Sequence, residues 1–152
     1  NTIVNCGEFQ FKNLYNSYIA NNIIIPADGA TFAYDVDSER GNVFENNCYY
    51  GVMTPIVDLC AKNTVPGFSG SDYSDPASFM LSKKSPLIGA GSAIEGVDKD
   101  FYGNPVQSNN IGCYGGTGTD AKYEREFLIE KIIRTILDII ETLKHEIEVI
   151  FD

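Results

Sequence analysis

Apolar and polar residues alternate along the first third of the chain with a period of two, which is typical of β-strands. Three of these runs align without gaps: residues 1–6, 17–22 and 42–47. Shorter strand-like runs lie between them, at residues 9–12, 23–25 and 31–36. Short strands that recur every ~16–25 residues are typical of a solenoid, in which each coil stacks on the next.

Asparagine occupies the fifth position of each aligned run, at Asn5, Asn21 and Asn46. Asparagine tolerates the left-handed backbone of a sharp turn between strands. Stacked side-chain amides can also hydrogen-bond to one another along the stack. The pattern therefore predicts an asparagine ladder at these three turns.

The pattern changes twice further along the chain. Residues 51–84 contain many Pro, Gly and Ser residues and predict a long excursion from the coil. Near the end of this stretch, a strand is expected to resume at residues 79–81. Residues 115–120 are rich in Gly and Thr and predict a flexible hinge, with Thr119 or Asp120 as the N-cap of a helix.

The remainder, residues 121–152, contains no Gly or Pro and predicts one long amphipathic helix. Its apolar residues recur at alternating steps of four and three, which is a heptad pattern. They are Ile129, Ile133, Ile136, Ile140, Leu143, Ile147 and Ile150. Three interpretations stay open: a parallel trimeric coiled coil, a cap on the end of its own solenoid, and packing on a partner domain. Isoleucine at both heptad positions favours three or four strands over two.

The most specific motif lies between Ser85 and Gly116. It consists of Ser-Pro-Leu-Ile-Gly-Ala-Gly at residues 85–91, Asp-Phe-Tyr-Gly-Asn-Pro at 100–105 and Ile-Gly-Cys-Tyr at 111–114. This run resembles the closing segment of right-handed parallel β-helix proteins of the pectate-lyase-like superfamily. The resemblance covers about residues 1–116. It implies that the chain is the C-terminal end of a larger protein, with any catalytic chemistry upstream.

These observations predict a mainly β fold with three parts. Residues 1–116 form the last coils of a right-handed parallel β-helix, residues 117–120 form the hinge, and residues 121–152 form the C-terminal helix.

Charge limits the partners. The formal net charge is −10, which disfavours nucleic acid because phosphate binding requires a basic surface. No apolar run has the length of a membrane span, so membrane insertion is not expected. An acidic chain rich in Tyr, Asn and Gly suits an extracellular or cell-surface protein that meets neutral or cationic ligands, or uses Ca²⁺ to meet anionic ones. The partner implied by the resemblance is a polysaccharide or a cell-surface glycan.

The four cysteines, Cys6, Cys48, Cys60 and Cys113, form no Cys-x-x-Cys pair, so zinc or redox chemistry has little support. Most of them are interpreted as buried thiols that act as small apolar residues. A disulfide between Cys48 and Cys60 remains an alternative.

Candidate ligand-binding residues fall into two groups. Asp35 and Asp37 lie on one face of an extended strand, and Asp98 and Asp100 flank Lys99. Either pair can hold Ca²⁺, and the alternative for each is a solvated or structural turn. The candidate sugar-binding residues are Tyr34, Tyr49, Tyr50, Asp35 and Asp37, because an outward tyrosine offers a sugar both an apolar face and a polar edge. Tyrosines that point inward would instead fill the core.

The sequence thus predicts the C-terminal structural portion of a secreted or surface carbohydrate-active protein, similar to a polysaccharide lyase or a glycosidase and inactive alone. No lyase or hydrolase motif is present, so no catalytic residue is assigned. The alternative is a non-enzymatic adhesin or tailspike-like stalk, which the C-terminal helix assembles into a homotrimer or caps.

Overall fold

The computed structural model describes residues 1–30, 32–34, 40–52, 58 and 60–120, together with Ile133, Ile136, Ile139 and Ile140. Seven short strands have bounds in this part of the chain. They are β1 (Thr2–Cys6), β2 (Phe9–Phe11), β3 (Tyr18–Ala20), β4 (Ile23–Pro26), β5 (Phe32–Tyr34), β6 (Val43–Glu45) and β7 (Cys48–Tyr49). A single turn of 3-10 helix spans Pro76–Phe79.

The seven strands form three small parallel sheets. One sheet has the order β1-β4-β7, and the pairs β2-β5 and β3-β6 form the other two. Sequential strands therefore belong to different sheets. Strands β1 to β4 each pair with the strand that comes three places later in the chain. The register aligns Thr2 with Ile23 in the first sheet and Tyr18 with Val43 in the third.

Strand β4 is the central strand of the first sheet, with β1 on one side and β7 on the other. Ile23 and Ile24 are both buried, although their side chains point to opposite faces of the strand. Their partners in β7 are Cys48 and Tyr49, which are also buried. A parallel strand covered on both faces is expected to be continuously apolar.

The main core lies on the Ile23 face of this sheet. Ile23 and Cys48 pack with Leu81, Leu87 and Ile111 from the second half of the described chain. Each fully buried Leu or Ile contributes roughly 1.5–3 kcal/mol through removal from water. The core therefore holds the turn-rich residues 60–120 against the small sheets.

A ladder of side-chain amides crosses the start of the first sheet. Asn1 Nδ2 donates to Asn22 Oδ1 (3.1 Å), Asn22 Nδ2 donates to Asn47 Oδ1 (2.8 Å), and Asn47 Nδ2 donates to Asp58 Oδ2 (2.7 Å). Asn22, Asn47 and Asp58 are all buried. Tyr49 Oη also donates to Asp58 Oδ2 (3.2 Å), so the carboxylate terminates the ladder.

The predicted ladder of Asn5, Asn21 and Asn46 is wrong in its members, although all three residues do have a left-handed backbone, with φ of 54°, 56° and 53°. The gapless alignment placed β1 over β3, whereas β1 pairs with β4. Asn5 therefore lies at a different corner from Asn21 and Asn46.

Beyond β7, the described chain forms turns and isolated bridges rather than strands with their own bounds. Parallel bridges join Cys48 to Lys62 and Ser82 to Thr119. The expected strand at residues 79–81 is replaced by the end of the 3-10 turn followed by an isolated bridge at Leu81.

The predicted fold class is contradicted. The described residues form three separate sheets of two or three short strands and do not close into a solenoid, so the parallel β-helix is a wrong prediction. The physical reason lies in residues 60–120, where Gly, Pro and Ser favour turns, and hydrogen bonds from side chains to the backbone take the place of long strand ladders.

The predicted long C-terminal helix and its coiled coil are likewise not supported. The chain divides into two units, Asn1–Ala121 and Lys122–Asp152. In the second unit only the four isoleucines named above are described, each with helical backbone and an exposed side chain. The predicted seam residues Ile129, Leu143, Ile147 and Ile150 lie outside the described residues. No helix in the described part of the chain is long and apolar enough to cross a membrane.

Two further expectations change at single residues. All four cysteines are free thiols, and Cys6 and Cys60 are exposed, so only Cys48 is the fully buried thiol that was expected.

The predicted hinge is anchored rather than free. Lys83 N donates to Thr119 O, Thr119 N donates to Leu81 O, and Lys83 Nζ pairs with Asp120 at 2.8 Å.

Asn47→Ala is expected to lower the free energy of unfolding by about 2–4 kcal/mol. The Asn47 side chain accepts from Asn22 N and Nδ2 and donates to Ile19 O and Asp58 Oδ2, so its removal leaves several buried groups unpaired. Urea unfolding followed by circular dichroism measures the change. Asn104→Ala removes an exposed asparagine side chain and is the matched control, with a change within about 0.5 kcal/mol. Equal losses in the two variants would contradict the importance of the ladder.

Candidate functional site

An open groove of about 770 Å³ lies in the first unit of the chain. Four stretches line it: residues 1–2, 18–21, 73–79 and 92–115. The first two belong to the half of the chain that forms the sheets, whereas the other two belong to the turn-rich half. The groove therefore exists only where the two halves of the described chain meet.

Aromatic residues form part of the groove lining. Tyr73 stacks on Phe79 with ring centroids 5.5 Å apart and an interplanar angle of 17°. Tyr102 makes edge contacts with Phe101 at 5.2 Å and with Tyr114 at 6.3 Å. All five residues line the groove. Tyr73 is 51% exposed and Phe101 is 70% exposed, so their rings are accessible to a ligand.

The loop that carries Phe101 and Tyr102 is held by Asp100. Its Oδ1 accepts from Tyr102 N and Asn104 N, both at 2.9 Å, and its Oδ2 accepts from Gly115 N at 3.2 Å. Asparagine and aspartate commonly organise turns in this way. Asp100 is therefore a structural residue that presents the aromatic side chains.

Tyr102 is fixed at its hydroxyl. Tyr102 Oη donates to Pro76 O at 2.7 Å and lies 3.8 Å from Cys113 Sγ. Burial, reinforced by Cys113, Asp100 and Asp75, raises the pKa of the Tyr102 hydroxyl well above its ordinary value of 10.0. The hydroxyl therefore stays protonated and serves as a donor at neutral pH.

Two hydroxyl groups also line the groove, and both bond to one carboxylate, Glu45. Tyr18 Oη donates to Glu45 Oε2 at 2.7 Å, and Ser92 Oγ donates to Glu45 Oε1 at 2.6 Å. Tyr18 and Ser92 line the groove, and Glu45 joins the two hydroxyls. The hydrogen bond from Ser92 and then that from Tyr18 lower the pKa of Glu45 below its ordinary value of 4.5. The carboxylate is thus ionised at neutral pH.

Asparagines clamp Ser92 onto the sheet. Asn21 Nδ2 donates to Ser92 O (2.7 Å), and Asn21 Oδ1 accepts from Ser92 N (3.0 Å). Asn46 Nδ2 donates to Ser92 Oγ (2.7 Å). Asn21 and Asn46 have the left-handed backbone that ends β3 and β6, and this conformation places both amides beside the same serine.

Asn1 lines the same groove. Its side-chain Nδ2 donates to Asn22 Oδ1 at 3.1 Å, and this hydrogen bond joins it to the ladder.

The sugar-binding residues predicted from the sequence do not come together here. Tyr49 is fully buried and donates to Asp58, so its ring offers no surface to a ligand. Tyr50 is 39% exposed but does not line the groove. Asp35, Asp37 and the side chain of Tyr34 lie outside the described residues.

Of the predicted Ca²⁺ ligands, Asp98 and Asp100 lie in the described part of the chain, whereas Asp35 and Asp37 lie outside it. No group of three or more His, Cys, Asp or Glu residues in the described part is close enough together to hold a metal ion. Asp98 is exposed, and the Asp100 carboxylate is used by three backbone N–H groups.

Sequence reasoning missed the groove residues for two different reasons. Phe101, Tyr102 and Tyr114 were visible within the motif at residues 100–114, and the aromatic content of a turn-rich segment was the available signal. Glu45 and Ser92 are 47 residues apart, and no local pattern joins them.

No protein-family model matches this chain, and no curated protein sequence matches it significantly. The resemblance to the pectate-lyase-like superfamily therefore stays a hypothesis, and the groove itself is the basis for assigning a function.

Tyr102→Phe is expected to lower the free energy of unfolding by about 1 kcal/mol at pH 7, because the hydrogen bond to Pro76 O is lost. The raised pKa stabilises the fold at pH values below 10.0, and this contribution is lost as the pH rises through the higher folded-state value. Ultraviolet titration of tyrosinate checks this: the variant lacks one late-titrating tyrosine of the parent. A titration curve unchanged by the substitution would show that the Tyr102 hydroxyl is not protected.

Proposed function

We propose that the groove binds a glycan and that the chain is a recognition part of a secreted or cell-surface protein. One observation carries this proposal. The exposed rings of Tyr73 and Phe101 and the hydroxyl groups of Tyr18 and Ser92 line the same open groove.

The chemistry of a sugar matches these two kinds of group, the aromatic rings and the hydroxyls. A pyranose ring has apolar faces made of C–H groups and an edge made of hydroxyl groups. Aromatic rings pack on such faces, and tyrosine adds a polar tip that can bond to the edge. A groove lined by both aromatic rings and hydroxyl groups can therefore offer contacts to the face and to the edge of a sugar ring.

The dimensions of the groove also support a ligand site. A volume of about 770 Å³ falls within the roughly 300–1,000 Å³ of ordinary ligand sites. Exposed clustered aromatic residues are costly for a soluble surface unless they serve an interaction. Phe101, with no polar tip of its own and 70% exposure, is the clearest case.

The described residues of the groove favour binding over bond cleavage. Glycoside hydrolysis requires a carboxylic acid that retains its proton near neutral pH and a second carboxylate. The pKa of Glu45 is lowered, so it cannot serve as that acid. Asp100 organises its own loop through three backbone N–H groups. These facts support a binding role for the described groove residues over glycoside hydrolysis.

Tyr73→Ala and Phe101→Ala are each expected to weaken glycan binding about tenfold, because each removes an accessible ring from the groove. Isothermal titration calorimetry with hexasaccharides of neutral, amino and acidic sugars measures the affinities. A thermal melt of each variant shows that the fold is retained.

Tyr15→Ala is the matched control. Tyr15 is 64% exposed, lies outside the groove and contacts Arg40 at 4.9 Å from the ring centroid. Its removal should leave the affinity unchanged. The proposal fails if none of the hexasaccharides binds at millimolar concentration, or if Tyr15→Ala weakens binding as much as Tyr73→Ala.

A further inference from the structure

Two hydroxyl groups that line the groove, those of Tyr18 and Ser92, both donate their hydrogen bonds to the same carboxylate. A tyrosine or serine hydroxyl has a single proton to donate. Tyr18 and Ser92 both direct that proton to Glu45. Toward the groove, these two oxygens can therefore only accept hydrogen bonds.

The neighbouring amides reinforce this direction. Asn46 Nδ2 donates to Ser92 Oγ and to Glu45 Oε1 (2.7 and 3.2 Å), so both of its protons have acceptors within the cluster. Asn21 Nδ2 donates to Ser92 O. The cluster of Tyr18, Glu45, Asn46 and Ser92 thus supplies few donors to a ligand, and Ser92 Oγ, which already accepts from Asn46, keeps one further lone pair.

The cluster is also negatively charged. Glu45 is ionised at neutral pH, because the two hydroxyls donate to it. The net charge of the whole chain is −10. Among the described residues that line the groove, Lys99 is basic and Asp100 is acidic. A polyanionic glycan would be repelled by this field, whereas a cationic group would be attracted.

We propose that the groove recognises a protonated amine on its glycan, and thus an amino sugar, through acceptor oxygens of Tyr18 and Ser92 that Glu45 holds in place. A primary ammonium group has three donors and no acceptor, which matches this cluster. The inference rests on the proposed glycan function. Glu45 is a positioning residue here, since it acts through the two hydroxyls.

The test compares two hexasaccharides with the same backbone, a glucosamine hexamer and an N-acetylglucosamine hexamer, by calorimetry at pH 6 and low salt. The glucosamine hexamer is expected to bind at least tenfold more tightly. Glu45→Gln is expected to bring the two affinities to within about threefold. The new amide donates to one of the two hydroxyls, and the proton of that hydroxyl then turns toward the groove. The aromatic rings of the groove still bind sugar faces.

A second pair of variants separates this site from general attraction of a cation to an acidic protein. Asp28→Asn removes one exposed negative charge away from the groove and should leave the preference for glucosamine unchanged. Tyr73→Ala should weaken binding of both hexamers. Loss of the preference in Asp28→Asn and Glu45→Gln alike would overturn the inference in favour of nonspecific attraction.

The remaining outcomes distinguish the two proposals. If both hexamers bind equally to the parent and Tyr73→Ala weakens both, glycan binding stands and the amine preference is wrong. If neither hexamer nor any neutral or acidic hexasaccharide binds, both proposals are wrong. Should Glu45→Gln weaken both hexamers by the same factor, Glu45 has only a structural role and the inference fails.

Discussion

The described part of the structure depends on the satisfaction of buried amides at the start of the first sheet. Strand β4 is buried on both faces, and the chain that enters it must bring polar groups into the interior with it. Asn22 and Asn47 solve this by bonding to each other, and Asp58 takes the last donors of the series. The burial of a polar group is costly unless the group is paired in this way. The ladder therefore fixes the register in which successive turns of the chain stack.

The groove inherits its shape from that register. Asn21 and Asn46 immediately precede the ladder residues Asn22 and Asn47, and their left-handed backbone directs them to Ser92. The clamp brings residues 92–115 against the sheets, and the aromatic loop around Asp100 belongs to that segment. Fold and site are thus linked through two pairs of consecutive asparagines, in which one member belongs to the buried ladder and the other bonds to Ser92.

The failed expectation of a closed solenoid has a local explanation. Alternation reports whether a short segment is extended, but it carries no information on whether the next turn of the chain continues the same sheets. After β7, side chains such as Ser85 and Asn110 bond to the backbone: Leu87 N donates to Ser85 Oγ, and Asn110 Nδ2 donates to Tyr114 O and Gly116 O. These bonds satisfy the backbone without extended strands. The motif at residues 85–114 therefore describes a set of turns.

Local order could be predicted from residue types alone. The short strands of the first half follow from the alternation of apolar and polar residues. The left-handed turns at Asn5, Asn21 and Asn46 follow from the tolerance of asparagine for positive φ. Pairing between distant residues was not readable. When the partner of β1 is β4 rather than β3, every ladder contact changes, but the alternation of apolar and polar residues along β1 stays the same. The contact between Glu45 and Ser92 likewise spans 47 residues and arises from the packing of the core. Short-range preferences are encoded by neighbours along the chain, whereas the groove is made by hydrogen bonds and apolar contacts that form only once the two halves have come together.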